Sequence, residues 1–190
     1  MRKRVAGVAV VAVSAFAAGP CFANHVIDTY PFWDNNITSG WLAVAQSFVA
    51  PAHPVLDSYT FGFQASGVNI TFTIVPWDET SGPTGGPLFS TNFASIAGDN
   101  SISNIGLALT PGTMYAAIVD MNGYSGQSVH WMTNVTGNPT GDASWWNGSW
   151  NFLNSGWSTK FRAEFNEVPG PGALALLGVA GLASRRRRRA

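Results

Sequence analysis

Apolar and polar side chains alternate along the middle of the chain with the period of a β-strand. Residues 68–75 read VNITFTIV, in which apolar side chains alternate with Asn or Thr until the final valine. Because successive side chains of a strand point to opposite faces of a sheet, this segment is predicted to be an antiparallel strand with one buried face. The same pattern places Tyr59, Phe61 and Phe63 on one face of an earlier strand, and Phe161, Ala163 and Phe165 on one face of a late strand.

The other segments of residues 24–167 also favour strands. Residues 114–121 form a more continuous apolar run, which predicts a strand that is covered on both faces. Weaker strand candidates span residues 41–49, 102–109 and 128–133. Clusters of Gly, Pro, Asn and Ser at residues 80–87, 110–112 and 137–141 predict turns between the strands.

This organisation predicts an all-β fold for residues 24–167. No stretch of this region longer than about ten residues has an uninterrupted helical period. Seven or eight short strands with frequent turn signals are typical of an antiparallel β-sandwich of jelly-roll type. We expect an N-terminal signal helix and a short hydrophobic C-terminal helix to flank this domain.

Residues 1–23 have the three parts of a secretory signal peptide. Basic residues at 2–4 precede an apolar run at 5–18, and small residues at Cys21 and Ala23 permit cleavage after Ala23. The alternative is a membrane anchor, but a spanning helix needs about 20 apolar residues and this run is shorter. Lipidation of Cys21 is a further alternative, disfavoured by the proline that precedes it. Cleavage would remove the only cysteine of the chain, so the exported domain would be stabilised by its core and not by disulfides.

Residues 168–190 contain a turn-forming segment, an apolar segment and a basic terminus, in that order. Pro169, Gly170 and Pro171 precede the apolar residues 173–183, and the basic cluster consists of Arg185, Arg186, Arg187, Arg188 and Arg189. Eleven helical residues cover roughly 17 Å, about half of the hydrocarbon core of a bilayer, which suits transient retention in the membrane. The arginines would hold the terminus on the cytoplasmic side. A short single-span anchor is the alternative.

The string VPGPGALALLGVAGLASRRRRR at residues 168–189 resembles the PEP-CTERM sorting signal of exported bacterial proteins. In that family, a Pro-x-Pro motif, a short apolar helix and an Arg cluster mark the protein for an exosortase, a membrane-embedded cysteine transpeptidase. The family usually has Glu between the prolines, where this chain has Gly170. The resemblance implies a bacterial protein with an exosortase as partner and a final location at the cell surface or in the extracellular matrix.

The formal net charge of zero conceals an uneven distribution of charged residues. All ten acidic residues lie between Asp28 and Glu167, whereas eight of the ten basic residues belong to the two terminal segments. Residues 24–167 keep only Lys160 and Arg162 as basic residues, so two against ten gives a net charge of −8. A surface that binds phosphate groups needs clustered Lys and Arg, so this charge argues against nucleic acid as a partner.

Residues 144–157, SWWNGSWNFLNSGW, contain four of the eight tryptophans, interleaved with Asn, Ser and Gly. Indole rings stack on the apolar faces of sugars and amides bond to their hydroxyls, so this composition favours contact with polysaccharide. The candidate ligand-binding residues are Trp145, Trp146, Trp150, Trp157, Asn147 and Asn151. The alternative is that these rings belong to the core. Because neighbours in an extended chain face opposite ways, only one of Trp145 and Trp146 needs to be exposed.

A second and weaker resemblance concerns the central domain. Residues 48–61, Trp77 together with residues 87–89, and residues 161–165 are similar to the strand pattern of sandwich domains that often precede this sorting signal. Those domains look like carbohydrate-binding modules, so this resemblance also implies a polysaccharide ligand.

The sequence offers few signals of catalysis, and no catalytic residue is assigned. Asp78 and Glu79 form the only adjacent pair of carboxylates, which is interpreted as a solvated turn. There is no Gly-x-Ser-x-Gly motif, and His25, His53 and His130 lack the spacing of a zinc site.

No cofactor is expected, and calcium is the metal that fits the sequence best. Asp-Asn pairs offer the hard oxygen ligands that Ca²⁺ prefers. These groups are Asp34 with Asn35 and Asn36, Asp99 with Asn100, and Asp120 with Asn122. They do not assign a set of ligands, so any structural Ca²⁺ site is left open.

Together these observations predict a secreted, surface-sorted bacterial protein with a structural or adhesive role in the extracellular matrix. It is predicted to contact extracellular polysaccharide and not to be an enzyme. Two alternatives are a small extracellular glycan hydrolase and a passive envelope scaffold without a ligand.

Overall fold

The computed structural model describes residues 25–32, 36–37, 41–64, 66–121, 131–134, 141–152 and 156–167. The predicted signal peptide at 1–23 and the sorting segment at 168–190, with their expected helices, lie outside these residues. In the described ranges, the chain forms fourteen strands and one short 3-10 turn at Tyr30–Phe32. No helix in these ranges is long and apolar enough to span a membrane.

The strands are β1 (His25–Asp28), β2 (Asn36–Ile37), β3 (Ala43–Val49), β4 (Val55–Phe63), β5 (Asn69–Asp78), β6 (Gly82–Pro83), β7 (Phe89–Ala94), β8 (Gly98–Ala108), β9 (Met114–Asp120), β10 (Met132–Asn134), β11 (Ala143–Trp146), β12 (Trp150–Phe152), β13 (Ser158–Thr159) and β14 (Phe161–Asn166).

Two antiparallel sheets form most of the domain. The four-stranded sheet has the order β1-β14-β4-β8. The seven-stranded sheet has the order β12-β11-β3-β9-β5-β6, and β7 also pairs with β5. A small three-stranded sheet has the order β13-β10-β2. All of these strand pairs are antiparallel, so the described part of the chain is an all-β sandwich.

The core lies between the inner faces of the two large sheets. Its largest side chains have no exposed surface and include Phe48, Tyr59, Phe61, Phe72, Phe161 and Phe165. Tyr59 stacks on Phe161 with ring centroids 5.4 Å apart, and Phe61 stacks on Phe72 at 5.9 Å. The second pair joins β4 to β5, and therefore one sheet to the other. Full burial of a side chain of this size contributes about 1.5–3 kcal/mol, so this aromatic layer stabilises the sandwich.

The alternation predicted from the sequence is confirmed in three strands. The inner side chains of β5, β4 and β14 are fully buried: Ile70, Phe72 and Ile74, then Tyr59, Phe61 and Phe63, then Phe161, Ala163 and Phe165. The continuous apolar run at 114–121 becomes β9, which pairs with both β3 and β5 and is buried on both faces. The all-β prediction is therefore confirmed, whereas the jelly-roll connectivity stays a prediction.

The weaker strand candidates differ from the prediction at their ends. The segment predicted at 102–109 is part of the longer β8, which already begins at Gly98. Residues 98–101 read GDNS, a composition that signals a turn, but pairing with β4 from Phe63↔Gly98 onward holds them in the sheet. The candidate at 128–133 is described only from Trp131, which forms a bridge to Phe63.

Candidate functional site

The outer face of the seven-stranded sheet carries a second apolar cluster, separate from the core. Strand alternation turns Ala45 of β3, Val75 of β5 and Ala116 of β9 away from the core, yet each is at most 4% exposed. They are covered by aromatic side chains of the same face. This outer cluster consists of Ala43, Ala45, Val75, Trp77, Ala116 and Ile118, with Met114, Trp146, Trp150 and Phe152 packed against them.

The cross-strand register places bulky rings next to small side chains. Trp146 of β11 lies opposite Ala43 of β3, and Ala43 lies opposite Asp120 of β9. Two residues further along β3, Ala45 lies opposite Ile118 of β9. An indole extends much further from the sheet than the methyl group of alanine. Space for a ligand therefore remains beside the rings, above the small side chains.

The rings of the outer cluster contact one another across the sheet. Trp77 and Trp150 meet edge to face, with centroids 5.0 Å apart and an interplanar angle of 86°. Trp150 also contacts Trp146 at 5.4 Å, and Phe152 contacts Trp77 at 6.1 Å. Aromatic pairs of this kind contribute about 0.5–1.5 kcal/mol beyond the burial of their surface. Trp77 belongs to β5 and Trp150 to β12, so these contacts connect distant strands of the sheet order.

Gly82 of β6 lets the backbone lie against Trp150. Its φ is +84°, and a Cβ atom at this position would be 2.9 Å from Cδ1 of the indole. Glycine adopts positive φ without steric cost and has no Cβ. This residue therefore permits the hairpin of β5 and β6 to fix the position of Trp150.

A groove of about 350 Å³ lies beside these rings. Its lining consists of Ala43, Thr73, Val75, Pro83, Gly85, Pro87, Ile118, Asp120, Trp146 and Trp150. The lining is mostly apolar, with two indoles, one hydroxyl group and one carboxylate. Binding sites for small organic ligands typically have about 300–1,000 Å³ and this mixture of apolar surface with a few polar groups.

The structure brings two of the four candidate tryptophans to the groove. Trp146 and Trp150 are half-buried and line it. Trp145 is only 3% exposed and belongs to the core, where its ring contacts Trp157 at 5.9 Å. Trp157 is half-buried against the same core. Trp145 and Trp146 thus face opposite sides of the sheet, as the alternation predicts, and Trp145 and Trp157 are not among the residues that line the groove.

The two candidate asparagines belong to the β11–β12 hairpin, Asn147 in its turn and Asn151 in β12 opposite Trp145. Asn147 and Asn151 are exposed and are not among the residues that line the groove. The Asn151 side-chain amide donates a hydrogen bond to the backbone oxygen of Ser149 at 3.2 Å, and the Asn147 backbone N–H donates to the same oxygen at 3.3 Å. Both contacts stabilise the turn. The composition of the segment favours these residues as ligands, but the structure places them in the hairpin and outside the groove lining.

The adjacent carboxylates Asp78 and Glu79 have different environments. Asp78 is exposed and accepts hydrogen bonds from the Thr80 hydroxyl at 2.6 Å and from the Ser81 backbone N–H at 2.9 Å. Hydrogen bonds lower the pKa of Asp78 to about 2, and the largest contribution comes from the Thr80 hydroxyl, followed by the other donors of this turn. The prediction of a solvated turn agrees with the exposed position of Asp78. Glu79 is instead half-buried and accepts a hydrogen bond from the Ser47 hydroxyl at 2.6 Å.

The structure pairs Glu79 with Asp142, a combination that the sequence did not suggest. The Asp142 backbone N–H donates to the Ser47 hydroxyl oxygen at 2.8 Å, so Ser47 connects the two acidic residues. Burial first, and the nearby Glu79 carboxylate second, raise the pKa of Asp142. Two carboxyl groups from distant parts of the chain therefore interact on the outer face.

The described residues contain no group of three or more His, Cys, Asp or Glu side chains that could hold a metal ion. Asp34, Asn35 and Asn122 lie outside the described ranges. The Asn100 side-chain oxygen accepts a hydrogen bond from the Ile96 backbone N–H at 2.9 Å, and its amide nitrogen donates to the Ile96 backbone oxygen at 2.8 Å. Asp99 Oδ1 lies 3.4 Å from Lys160 Nζ. A structural calcium ion stays a prediction.

No family model matches this chain, and no curated protein matches it. Among solved structures, it is similar to the crystal structure of the cysteine protease and lectin-like domains of Cwp84, a surface layer associated protein of Clostridium difficile. That match has a TM-score of 0.53 and 12% sequence identity, and covers 76% of this chain and 36% of that chain. A structure of the same clostridial cysteine protease after propeptide cleavage matches with a TM-score of 0.48 and 15% identity, over 69% of this chain and 38% of that one. The first likeness shows the fold alone, and this chain spans about a third of the length of the chain that it matches.

Proposed function

We propose that this protein is exported, sorted to the bacterial cell surface, and contacts extracellular polysaccharide through the groove on its outer face. Its role in the matrix is then structural or adhesive. The observation that carries the proposal is the half-buried pair Trp146 and Trp150 beside a groove of about 350 Å³.

The geometry of the groove suits a sugar ring. Sugars have apolar C–H faces that stack on indoles and hydroxyl groups that bond to polar side chains. Trp146 and Trp150 supply the indoles, and Thr73 and Asp120 supply hydrogen-bonding groups in the same lining. The ring contacts with Trp77 hold Trp150 in place before a ligand arrives, which reduces the entropy lost on binding.

The structural likeness supports this proposal at the level of the fold. The matched structure contains lectin-like domains and belongs to a protein associated with a surface layer. One fold hosts many functions, so this likeness concerns the scaffold and not the site. The ligand itself has to be argued from the groove.

Retention on polysaccharides tests the proposal. The protein is incubated with soluble and insoluble polysaccharides, including those of the host, and retention is measured together with new reducing ends. Trp150→Ala should lower retention by about tenfold because it removes one stacking surface. Trp157→Ala is the matched control, because this indole is also half-buried but packs on the core. Equal retention of the two variants would contradict the proposal.

The sorting proposal is supported by the sequence of the two ends and has its own test. Mature protein from the native host should begin after Ala23 and end near Pro169. Mass spectrometry of the isolated protein measures both ends. Recovery of a chain that still carries Arg185–Arg189 would refute cleavage by an exosortase.

The pairing of Glu79 with Asp142 favours one second candidate, a small extracellular glycan hydrolase. Glycosidases use one protonated and one ionised carboxyl group, and the pKa of Asp142 is raised beside Glu79. We rank this candidate second because neither residue is among those that line the groove. The hydrolase candidate predicts that the protein releases new reducing ends from a glycan and that Asp142→Asn abolishes this release. Retention without product argues for a binding module, and neither retention nor product argues for a passive scaffold.

A further inference from the structure

Carboxylates provide the charge on the outer face of the seven-stranded sheet. Asp120 is the only charged side chain among the described residues that line the groove. On the same face, the Glu79 carboxylate accepts a hydrogen bond from the Ser47 hydroxyl, which in turn accepts one from the Asp142 backbone N–H. A ligand that enters the groove therefore approaches negative charge.

The two basic residues of the central domain lie elsewhere. Lys160 and Arg162 lie just before and within β14, in the four-stranded sheet on the other side of the core. Lys160 Nζ lies 3.4 Å from Asp99 Oδ1, and Arg162 Nε lies 3.0 Å from Glu164 Oε1. Packed sheets are about 10 Å apart, and salt screens charges beyond about 8 Å at physiological ionic strength. These two charges are therefore paired and remote from the groove.

The rest of the domain cannot supply a positive charge from Lys or Arg. The parts of residues 24–167 outside the described ranges contain neither residue type. The described ranges contain nine acidic and two basic residues, a difference of −7 with neutral histidines. The scarcity of Lys and Arg is thus a property of all of residues 24–167 and does not depend on one loop.

We propose that the groove selects glycans without acidic groups and binds amine-bearing glycans best. A uronate or sulfate group would enter beside the Asp120 carboxylate, in a domain whose net charge is −8. A neutral sugar avoids this repulsion and keeps the stacking on Trp146 and Trp150. A protonated amine adds a charge-assisted hydrogen bond to a carboxylate. This inference rests on the proposed function and specifies the ligand class of the same site.

Two series of polysaccharides with a constant backbone test the selection. The first is cellohexaose, the chitosan hexamer and a β-1,4-glucuronate hexamer. The second is dextran, diethylaminoethyl-dextran and carboxymethyl-dextran. Binding to the protein is measured near neutral pH at low salt and again at about 1 M NaCl. Within the series that binds, we expect the acidic member to bind at least about tenfold more weakly than the neutral one, and salt to reduce this difference.

An Asp120→Asn variant locates the effect. It should weaken binding of the amine-bearing member by about fivefold and strengthen binding of the acidic member, each relative to the neutral member. Asp57→Asn is the matched control, because Asp57 is a partly buried carboxylate on β4 of the opposite sheet. Its selection should equal that of the wild type. The salt comparison on the wild type gives the same information if either variant folds poorly.

The outcomes separate this inference from the proposed function. Acidic members bound as tightly as neutral ones at low salt would overturn the selection and leave polysaccharide binding intact. Selection that is unchanged by both Asp120→Asn and salt would also overturn it. Failure of every glycan in both series and of the host polysaccharides would contradict the proposed function, and this inference with it.

Discussion

The two faces of the seven-stranded sheet use aromatic side chains in different ways. On the inner face, Phe48 and Phe72 have no exposed surface, because the four-stranded sheet covers them. On the outer face, Trp146 and Trp150 remain half-buried, packed on small side chains and on each other. Both faces carry aromatic rings, but only the inner face is covered by a second sheet.

This difference separates stability from ligand contact. A ring enclosed between two sheets contributes its full burial to folding and offers no surface to a ligand. A ring supported from one side contributes less to folding and keeps accessible surface. The comparison therefore predicts that substitutions on the inner face act on stability, and that substitutions on the outer face act mainly on binding.

The largest expected effect comes from truncating a buried aromatic side chain on the inner face. Phe72→Ala should lower the free energy of unfolding by about 3–5 kcal/mol, since it leaves a cavity between the sheets. Urea unfolding measures this loss. The neighbouring substitution Thr73→Ala changes the outer face of the same strand and should cost less than about 1 kcal/mol. Similar losses for both variants would remove the distinction between the faces.

Truncating the outer cluster should cost less stability. Trp150→Ala should lower the free energy of unfolding by about 1–2 kcal/mol, because the indole is only half-buried and rests on alanines. The tenfold loss of retention described above should accompany this modest change. A loss as large as that of Phe72→Ala in the same urea series would show that the outer cluster acts as a second core.

Adding one methyl group to the hairpin should disturb the outer face alone. Gly82→Ala places a Cβ against the Trp150 ring at a positive φ, which should cost about 1 kcal/mol and displace the indole. Retention on glycan should fall while the urea transition stays cooperative. Gly86→Ala is the matched control, because a Cβ there meets no atom within 4 Å. Unchanged retention in Gly82→Ala would show that the hairpin does not position Trp150.

The smallest expected effect concerns pH. Burial and the Glu79 carboxylate raise the pKa of Asp142 above its ordinary value of 3.8. A raised folded-state pKa means that the associated stability is fully present below pH 3.8 and is lost as pH rises through the folded-state pKa. Asp142→Asn cannot ionise, so its Tm relative to the wild type should increase from acidic to neutral pH. Calorimetry across this range measures the difference, and a constant or decreasing difference would contradict the raised pKa of Asp142.

The sequence predicted those parts of the fold that depend on local alternation. Phe61, Phe72 and Phe161 are correctly placed in the core, because each belongs to a strand with alternating apolar side chains. The opposite orientations of Trp145 and Trp146 follow from the same rule. These features need no knowledge of which strands are neighbours.

The groove could not be predicted, because it depends on the order of strands. Trp77 and Trp150 lie far apart in the chain and meet only across the folded sheet. Ile118 belongs to the continuous apolar run at 114–121, which indicates burial on both faces without showing what covers the outer one. Ala43 belongs to a weaker strand candidate, which does not show its neighbours either. The sequence predicts that Glu79 and Asp78 share one solvated turn, but in the structure the Ser47 hydroxyl of β3 donates a hydrogen bond to Glu79. Tertiary contacts of this kind have no local signal in the sequence.

The edge-to-face contact of Trp77 with Trp150 also has an optical consequence. Their centroids lie 5.0 Å apart, close enough for the transition dipoles of the two indoles to couple. Coupled chromophores in a chiral arrangement give paired circular dichroism bands of opposite sign in the far ultraviolet. Trp145 and Trp157 also lie 5.9 Å apart in the core, so the change in these bands caused by Trp150→Ala reports the contribution of the outer face, without any label on the protein.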